Sequence, residues 1–243
     1  MLIVPQHTET FSAASAATLD NRGMSIVGLG SGNDRPTFTF DTVTGASMVL
    51  SAADLYVANI IGLAGLDALT VPFNVTGNNC ELDIEWQDAS STVEAATAVR
   101  LDTADGARLK LGYRGFTAGD AAVRPVAIDD CDDVWIEIDG FGVVSTAWVN
   151  MVDVASTNVY VTGKLFTQGI TTGARDVVDT ITGSTWFGRI DDESAGGTYS
   201  GGSAAAWAAD DVTVAFTAVG AVGDTTLADT VEGAAATTQS MLS

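Results

Sequence analysis

The chain has 243 residues and a formal net charge of −21, with 10 lysines and arginines against 31 aspartates and glutamates. A nucleic-acid-binding surface needs clustered basic residues, as does binding to an anionic membrane, so this charge argues against both kinds of partner. With 47% hydrophobic and only 17% charged residues, the composition is that of a folded domain rather than a disordered acidic tail. Glycine is abundant while Glu and Lys are scarce, which favours short strands and tight turns over helices.

The first 46 residues precede the regular part of the chain, and we interpret them as an N-terminal lead-in with capping coils. The start, Met1–His7, lacks the basic region and apolar core of a signal peptide, so we expect no secretion signal. The longest apolar runs, such as Ile60–Leu66, are far shorter than the ~20 residues that a membrane helix needs.

From residue 47 onward, two series of short alternating segments recur with one period. In one series, the first inward position of each segment is Leu55, Cys80, Ala107, Val134, Val159 and Thr185, at intervals of 25 to 27 residues. A polar corner followed by a strand at a fixed period predicts a solenoid whose rungs stack by parallel strand pairing. A β-sandwich also has regularly spaced strands, but it gives no reason for one strand type to recur at a fixed phase.

The repeat divides the chain into three predicted parts. Residues 1–46 form the lead-in, 47–190 form a parallel β-helix of six or more rungs, and 191–243 form a Gly/Ala/Ser-rich linker with a C-terminal arm. The arm contains one strand pattern, Asp211–Phe216. We expect it to pack on the end of the rod or on a neighbouring subunit, or to be only partly ordered.

The Gly-rich segment of the lead-in carries a family resemblance. It reads Ser25-Ile-Val-Gly-Leu-Gly-Ser-Gly-Asn-Asp-Arg-Pro-Thr-Phe-Thr-Phe40. With the rungs up to Ile190, it resembles phage-encoded, pectate-lyase-like proteins, in which an I-x-G-x-G…R-P-T-F segment opens the first coils. The resemblance implies an all-β, right-handed parallel β-helix and a virion structural protein. A nucleotide loop is not expected, because these glycines lead into a strand and not a helix.

One outward position per rung is rich in aromatic residues. The residues there are Tyr56, Glu81, Arg108, Trp135, Tyr160 and Trp186. Large exposed rings at a fixed period indicate a surface that is covered. We therefore assign the binding face to Tyr56, Arg108, Trp135, Tyr160 and Trp186. The cover could be another protein chain, the C-terminal arm or a glycan, and a bare surface is the remaining alternative.

The sequence offers little for catalysis. The single histidine, His7, has no supporting motif, and no His/Cys cluster has metal-ligand spacing. The Asp-rich corner Asp129–Asp133 is typical of a solvated turn, although acid–base chemistry and cation binding stay open as alternatives. Cys80 and Cys131 fall two rungs apart, too far for a disulfide, so we expect two free thiols. We predict no catalytic residue, no metal and no cofactor.

The expected function follows from the family resemblance and from the lack of a recognisable catalytic or metal site in the sequence. We expect a virion structural protein, assembled in the host cytoplasm as a homotrimer. Its most fitting place is capsid decoration or another head-associated position, bound to the major capsid protein or another virion protein. The alternatives are a tailspike-like protein that binds or cleaves polysaccharide, and a secreted β-helix lyase.

Overall fold

A computed structural model describes residues 1–116, 123–166, 175–179, 181–192, 199–201, 226–229 and 237–240. Within these residues the chain is a parallel β-solenoid, and its helical content is one 3₁₀ turn, Gly32–Asp34. The predicted all-β, parallel-solenoid fold class is therefore confirmed. The predicted strand Asp211–Phe216 lies outside the described residues.

The strands are short, as the glycine-rich, lysine-poor composition predicts. In chain order they are β1 (Leu2–Val4), β2 (Thr8–Phe11), β3 (Ala17–Leu19), β4 (Ser25–Gly28), β5 (Thr37–Phe40), β6 (Met48–Leu50), β7 (Tyr56–Ala64), β8 (Phe73–Val75), β9 (Glu81–Gln87) and β10 (Thr97–Asp102). They continue with β11 (Arg108–Arg114), β12 (Arg124–Asp129), β13 (Trp135–Phe141), β14 (Ala147–Met151), β15 (Val159–Leu165), β16 (Arg175–Asp179), β17 (Trp186–Asp192), β18 (Tyr199–Gly201), β19 (Thr226–Asp229) and β20 (Thr237–Ser240).

The first eighteen strands form two parallel sheets, to which the coils contribute in alternation. Sheet A runs in the order β1-β4-β7-β9-β11-β13-β15-β17, with β2 paired to β5 and β5 to β7. Sheet B runs β18-β16-β14-β12-β10-β8-β6-β3. Strands of the lead-in thus pair in the same two sheets as the repeats, and β18 continues sheet B beyond residue 190. Strands β19 and β20 form a separate antiparallel pair.

The core consists of identical inward positions stacked from rung to rung. One such column is Leu82, Leu109, Ile136 and Val161, which the strand register aligns. All four side chains are almost completely buried. Each fully buried Leu, Ile or Val contributes roughly 1.5–3 kcal/mol relative to an exposed one. The repeat period therefore stabilises the fold directly, because it stacks the apolar residues.

The corner that leads into sheet A is built from residues in the left-handed backbone region. Asp54, Asn79, Gly106, Asp133 and Asn158 occupy equivalent places with φ between 54° and 68°. Asn and Asp tolerate this conformation and bond to neighbouring groups. Asn79 Nδ2 donates to Asp54 Oδ1 at 3.3 Å, and the same contact joins Asn158 to Asp133 at 3.1 Å. Part of the acidic excess is therefore turn chemistry.

The last rung corrects the predicted register by one residue. Trp186, predicted to point outward, pairs with Val159 and is fully buried, while Phe187 pairs with Tyr160 on the outer face. Thr185 is accordingly not the inward residue. An interval of 27 residues, rather than the predicted 26, places the large indole in the core. Ser184 then fills the inward corner, where its hydroxyl accepts a hydrogen bond from the Ser156 backbone N–H at 3.2 Å.

Both cysteines are buried free thiols, as predicted. Cys131 lies in an inward corner, where its Sγ accepts a hydrogen bond from the Ala104 N–H at 3.3 Å. Burial raises the pKa of the Cys131 thiol to about 11, so the reactive thiolate is disfavoured.

Candidate binding surface

The predicted outward positions form one continuous row across sheet A. Strand register aligns Tyr56 with Glu81, Glu81 with Arg108, and Arg108 with Trp135. It continues from Trp135 to Tyr160 and from Tyr160 to Phe187. We call these six residues the aromatic row. Each of them directly follows the first inward residue of its rung, and this constant phase explains why one face collects the rings.

Three rings at one end of the row contact one another, tilted between Trp135 and Tyr160 and edge-to-face between Tyr160 and Phe187, and we call them the ring stack. The ring centroids of Trp135 and Tyr160 are 3.9 Å apart, and those of Tyr160 and Phe187 are 5.2 Å apart. Trp135 is 49% exposed, while Tyr160 and Phe187 are half-buried. Aromatic side chains with few rotatable bonds, held on strands, lose little entropy when a partner covers them. The stack is therefore a preorganised contact surface.

The structure brings only part of the predicted set together. Trp135 and Tyr160 are in direct contact, and Arg108 lies on the adjacent strand beside Trp135. Tyr56 is at the other end of the row, separated from Arg108 by Glu81. Trp186 lies in the core and takes no part in the surface. Phe187 takes the outward position that was predicted for Trp186.

A charged row runs beside the aromatic row, two residues further along each strand. Register aligns Asp83, Lys110, Glu137 and Thr162 on successive strands. The predicted alternation of sign is present, and Lys110 Nζ lies 3.6 Å from Glu137 Oε1. Both side chains are about half exposed, so this ion pair contributes little to stability. A shallow pocket of about 170 Å³ lies between the two rows, with Trp135 at its side.

The pocket continues across the sheet as a polar groove. A second depression of about 160 Å³ shares Asp83, Lys110 and Glu137 with the first and reaches Gly112, whose missing side chain leaves the space open. Its far wall is the ion pair between Arg35 and Glu85, with Nη2 and Oε2 2.6 Å apart. We call these two depressions together the polar groove.

The ion pair between Arg35 and Glu85 at the wall of the polar groove is mostly buried. Only 14% of the Arg35 side chain and 18% of the Glu85 side chain are exposed. Burial raises the pKa of Glu85, but hydrogen bonds from Gln87 and Arg35 outweigh it and hold the pKa below its ordinary value. Glu85 is therefore a fixed negative charge at neutral pH.

In the Asp-rich corner, Asp129–Asp133, contacts within the protein already engage the carboxylate of Asp129. The Asp129 carboxylate pairs with Arg100 and accepts a hydrogen bond from the Val154 N–H at 2.9 Å. Asp130 and Asp133 have left-handed φ, as turn residues do. In the part of the chain that the structure describes, no group of three or more His, Cys, Asp or Glu residues could hold a metal ion.

Several features of the surface were not anticipated from the sequence. Phe116, Phe141 and Phe166 are each about 40% exposed near the far end of the sheet A strands. Their spacing of 25 residues repeats the solenoid period and was a usable signal. Arg100 and Arg124 both line a pocket on sheet B, which no pattern in the sequence predicted.

Comparisons with known proteins found no match for this chain among protein-family models, curated proteins or solved structures. Among the described residues, no helix is long and apolar enough to cross a membrane. What the surface itself offers is a rigid ring stack beside a groove of alternating charge, an arrangement suited to binding another molecule.

Proposed function

We propose that the protein is a non-catalytic structural component of a virus particle, placed as a capsid decoration or head-associated protein. It attaches to the major capsid protein or another virion protein through the aromatic row. The observation that carries this proposal is the contiguous, partly exposed stack of Trp135, Tyr160 and Phe187. The resemblance of the repeat to phage β-helix proteins makes a virus particle the assembly to test.

The ring stack has the properties of a protein-binding hot spot. Binding energy in protein interfaces is concentrated in a few aromatic and arginine side chains that become fully desolvated. Trp135 offers about half of its surface for such burial, and Arg108 lies beside it. The flanking charges Asp83, Lys110 and Glu137 give a polar rim that selects partners more than it adds affinity.

The proposal is tested by measuring how well the purified protein binds virus particles stripped of it. Trp135→Ala is expected to weaken binding at least about tenfold, as loss of a hot-spot ring does. The matched control is Lys110→Ala, which removes an exposed side chain from the neighbouring row and leaves binding within about twofold. Equal binding by wild type and Trp135→Ala, with both proteins folded, would refute attachment through the row.

We also propose that the protein assembles as a homotrimer. Phage particles present symmetry axes on which closed oligomers assemble. Light scattering at micromolar protein concentration is expected to give three times the chain mass of 24.9 kDa. A monomeric mass at that concentration would refute the trimer and leave attachment through the row untouched.

A second candidate is a tailspike-like protein that binds polysaccharide. It is favoured by one observation, the polar groove with an exposed Trp135 at its side, because sugars stack on indole rings and bond to carboxylates. Copy number discriminates the two functions: hundreds of copies per particle indicate decoration, whereas a few to a few dozen indicate a tail spike. Oligosaccharide binding that Trp135→Ala abolishes would favour this second function.

A further inference from the structure

The outer face of sheet A nearly balances its charges, in contrast to the rest of the molecule. On strands β9, β11, β13 and β15, the outward positions carry four basic side chains against five acidic ones, so they hold only −1 of the net charge of −21. Two copies of so acidic a chain repel each other. Across this face, however, they can approach with little repulsion. The charged residues are Arg108, Lys110, Arg114, Lys164, Glu81, Asp83, Glu85, Glu137 and Asp139.

Strand register arranges the outward side chains of these four strands in a regular grid. Each strand contributes four of them, and the parallel pairing aligns them in four columns that cross the strands. Neighbours within a column are separated by the strand spacing of about 4.8 Å. From β9 to β15, the columns are Glu81, Arg108, Trp135 and Tyr160; Asp83, Lys110, Glu137 and Thr162; Glu85, Gly112, Asp139 and Lys164; and Gln87, Arg114, Phe141 and Phe166.

The grid is complementary to itself under one rotation. A two-fold axis along the strand direction, between β11 and β13, brings β11 opposite β13 of a second copy and β9 opposite β15. Lys110 then faces Glu137 of the second copy, and Glu85 faces Lys164. The symmetry makes each of these contacts occur twice. On this grid, like charges never lie opposite each other.

The same rotation brings exposed rings opposite guanidinium groups. Arg108 faces Trp135 of the second copy, and Arg114 faces Phe141. Both rings are well exposed in the single chain, Trp135 at 49% and Phe141 at 39%. A guanidinium group over an aromatic ring is an attractive contact, and burial of the ring adds apolar contact. The aromatic side chains therefore contribute to the complementarity together with the charges.

The other face-to-face arrangement is opposed by charge. A two-fold axis parallel to the solenoid would set Arg108 opposite Arg114 of the second copy, and Glu137 opposite Asp139. Like charges that face each other in an interface are destabilising. The charge pattern thus favours two solenoids that run antiparallel over two that run parallel.

We infer that the outer face of sheet A binds the same face of a second copy, with the two solenoids antiparallel. The axis lies midway along the six strands of sheet A from β7 to β17. Their outer face measures roughly 20 by 29 Å, because seven residues span about 20 Å and six strands about 29 Å. Two such faces bury on the order of 1,200 Å² in total, above the ~1,000 Å² that a specific interface needs. The pairing concerns copies in solution and does not rest on the proposed attachment, although a particle that binds the aromatic row competes with it.

Charge reversal tests the pairing, because a second reversal on the other chain can undo it. Light scattering measures the mean mass between about 5 and about 500 μM protein, a range over which mass action favours association. We expect the wild-type mass to rise about twofold or more above its low-concentration value. Lys110→Glu and Glu137→Lys are each expected to show no rise, since each variant sets like charges opposite each other twice. An equimolar mixture of the two variants is expected to recover the rise, because every contact between positions 110 and 137 then joins opposite charges.

Matched variants separate the pairing from a general effect of charge. Arg22→Glu changes the net charge as much as Lys110→Glu does, but it lies at an exposed corner in an ion pair with Asp54, so it should associate like wild type. Glu137→Lys makes the chain less acidic, so general repulsion predicts stronger association where the pairing predicts weaker. The double variant Lys110→Glu/Glu137→Lys restores both contacts within one sequence and guards against a single variant that fails to fold.

Three results would overturn the inference. They are a wild-type mass that stays constant over the whole concentration range, association of either single reversal as strong as that of wild type, and no recovery in the mixture or the double variant. The mass at the lowest concentration tests the homotrimer, and particle binding by Trp135→Ala tests the attachment. Failure of the pairing is therefore distinguishable from failure of either part of the proposed function.

Discussion

Asp88 is a carboxylate that follows β9 and is almost fully buried. It accepts hydrogen bonds from Tyr113 Oη at 2.6 Å, Trp86 Nε1 at 2.9 Å and the Ala95 N–H at 3.3 Å. Burial dominates these contacts and raises the pKa of Asp88 to about 6. Because the ordinary value is about 3.9, the folded protein holds this proton more tightly than the unfolded chain. The contribution of Asp88 to stability therefore falls as pH rises from about 4 to 6 and is constant above that.

Asp88→Asn is expected to remove this pH dependence, because the amide stays neutral and its oxygen still accepts from Trp86. Relative to wild type, the variant should gain about 2–3 kcal/mol of unfolding free energy between pH 4 and pH 7. Urea unfolding at several pH values measures this difference in unfolding free energy. Subtracting the wild-type values removes the contributions of the other carboxylates, which both proteins share. Parallel stability curves for the two proteins would show that Asp88 titrates normally.

Gly106 is the glycine in the column of left-handed corner residues. Its φ is +68°, and a Cβ there would overlap the Asn79 side-chain oxygen. Gly106→Ala is expected to cost about 1–2 kcal/mol or more of unfolding free energy. Gly112→Ala is the matched control, because its Cβ would meet Glu85 only at an ordinary 3.7 Å, and it should change stability by less than about 1 kcal/mol. Equal effects in thermal unfolding would contradict the corner geometry.

At the scale of the element, the last rung shows what periodicity can and cannot predict. The repeat predicted the inward residues Leu55 to Val159 correctly, and each of them is almost fully buried. It failed at Thr185, because intervals of 25 to 27 residues do not specify the register of the next rung to one residue. Packing decided between the two registers, since burying Trp186 removes far more apolar surface from water than burying Thr185 does.

The corrected register of β17 makes opposite predictions for two tryptophans. Trp186→Ala leaves a large cavity in the core and is expected to cost about 3–5 kcal/mol of unfolding free energy. Trp135→Ala truncates a half-exposed ring and is expected to cost about 1 kcal/mol or less. Chemical denaturation of both variants checks the ranking. If Trp135→Ala were the more damaging, the assignment of inner and outer faces in this part of sheet A would be wrong.

At the scale of the whole molecule, the charge of −21 acts on stability more than on fold. The Asp residues at corners explain part of this charge through turn conformation, but nothing in the turns explains why the chain has only two lysines. Uncompensated repulsion is screened by salt. We expect the thermal midpoint to rise by about 3–6 °C, as ~1–2 kcal/mol would give, between 0.05 and 1 M NaCl. A midpoint that is flat or falls with salt would show that self-repulsion is not limiting.

The fold of the whole molecule was predictable because the same pattern of a polar corner followed by an alternating strand recurs in successive rungs. The aromatic row was predictable for the same reason, except at Trp186, where the register changed. The pocket on sheet B was not, because Arg100 and Arg124 are 24 positions apart and their proximity depends on the interval of that particular rung. Asp88 was also missed, since no pattern marks a single polar residue that a loop buries.

Attachment through the aromatic row is the central claim, and a photo-crosslink tests it most directly. Benzoylphenylalanine replaces Trp135 in one variant and, in a second, Val43, an exposed residue beyond the end of β5 and outside both rows. Each protein is irradiated on assembled virus particles. We predict that position 135 crosslinks efficiently to the major capsid protein or another virion protein, and that position 43 does so only weakly. Particle-bound protein that gives no crosslink from position 135, or particles that never bind the protein, would contradict the proposed attachment.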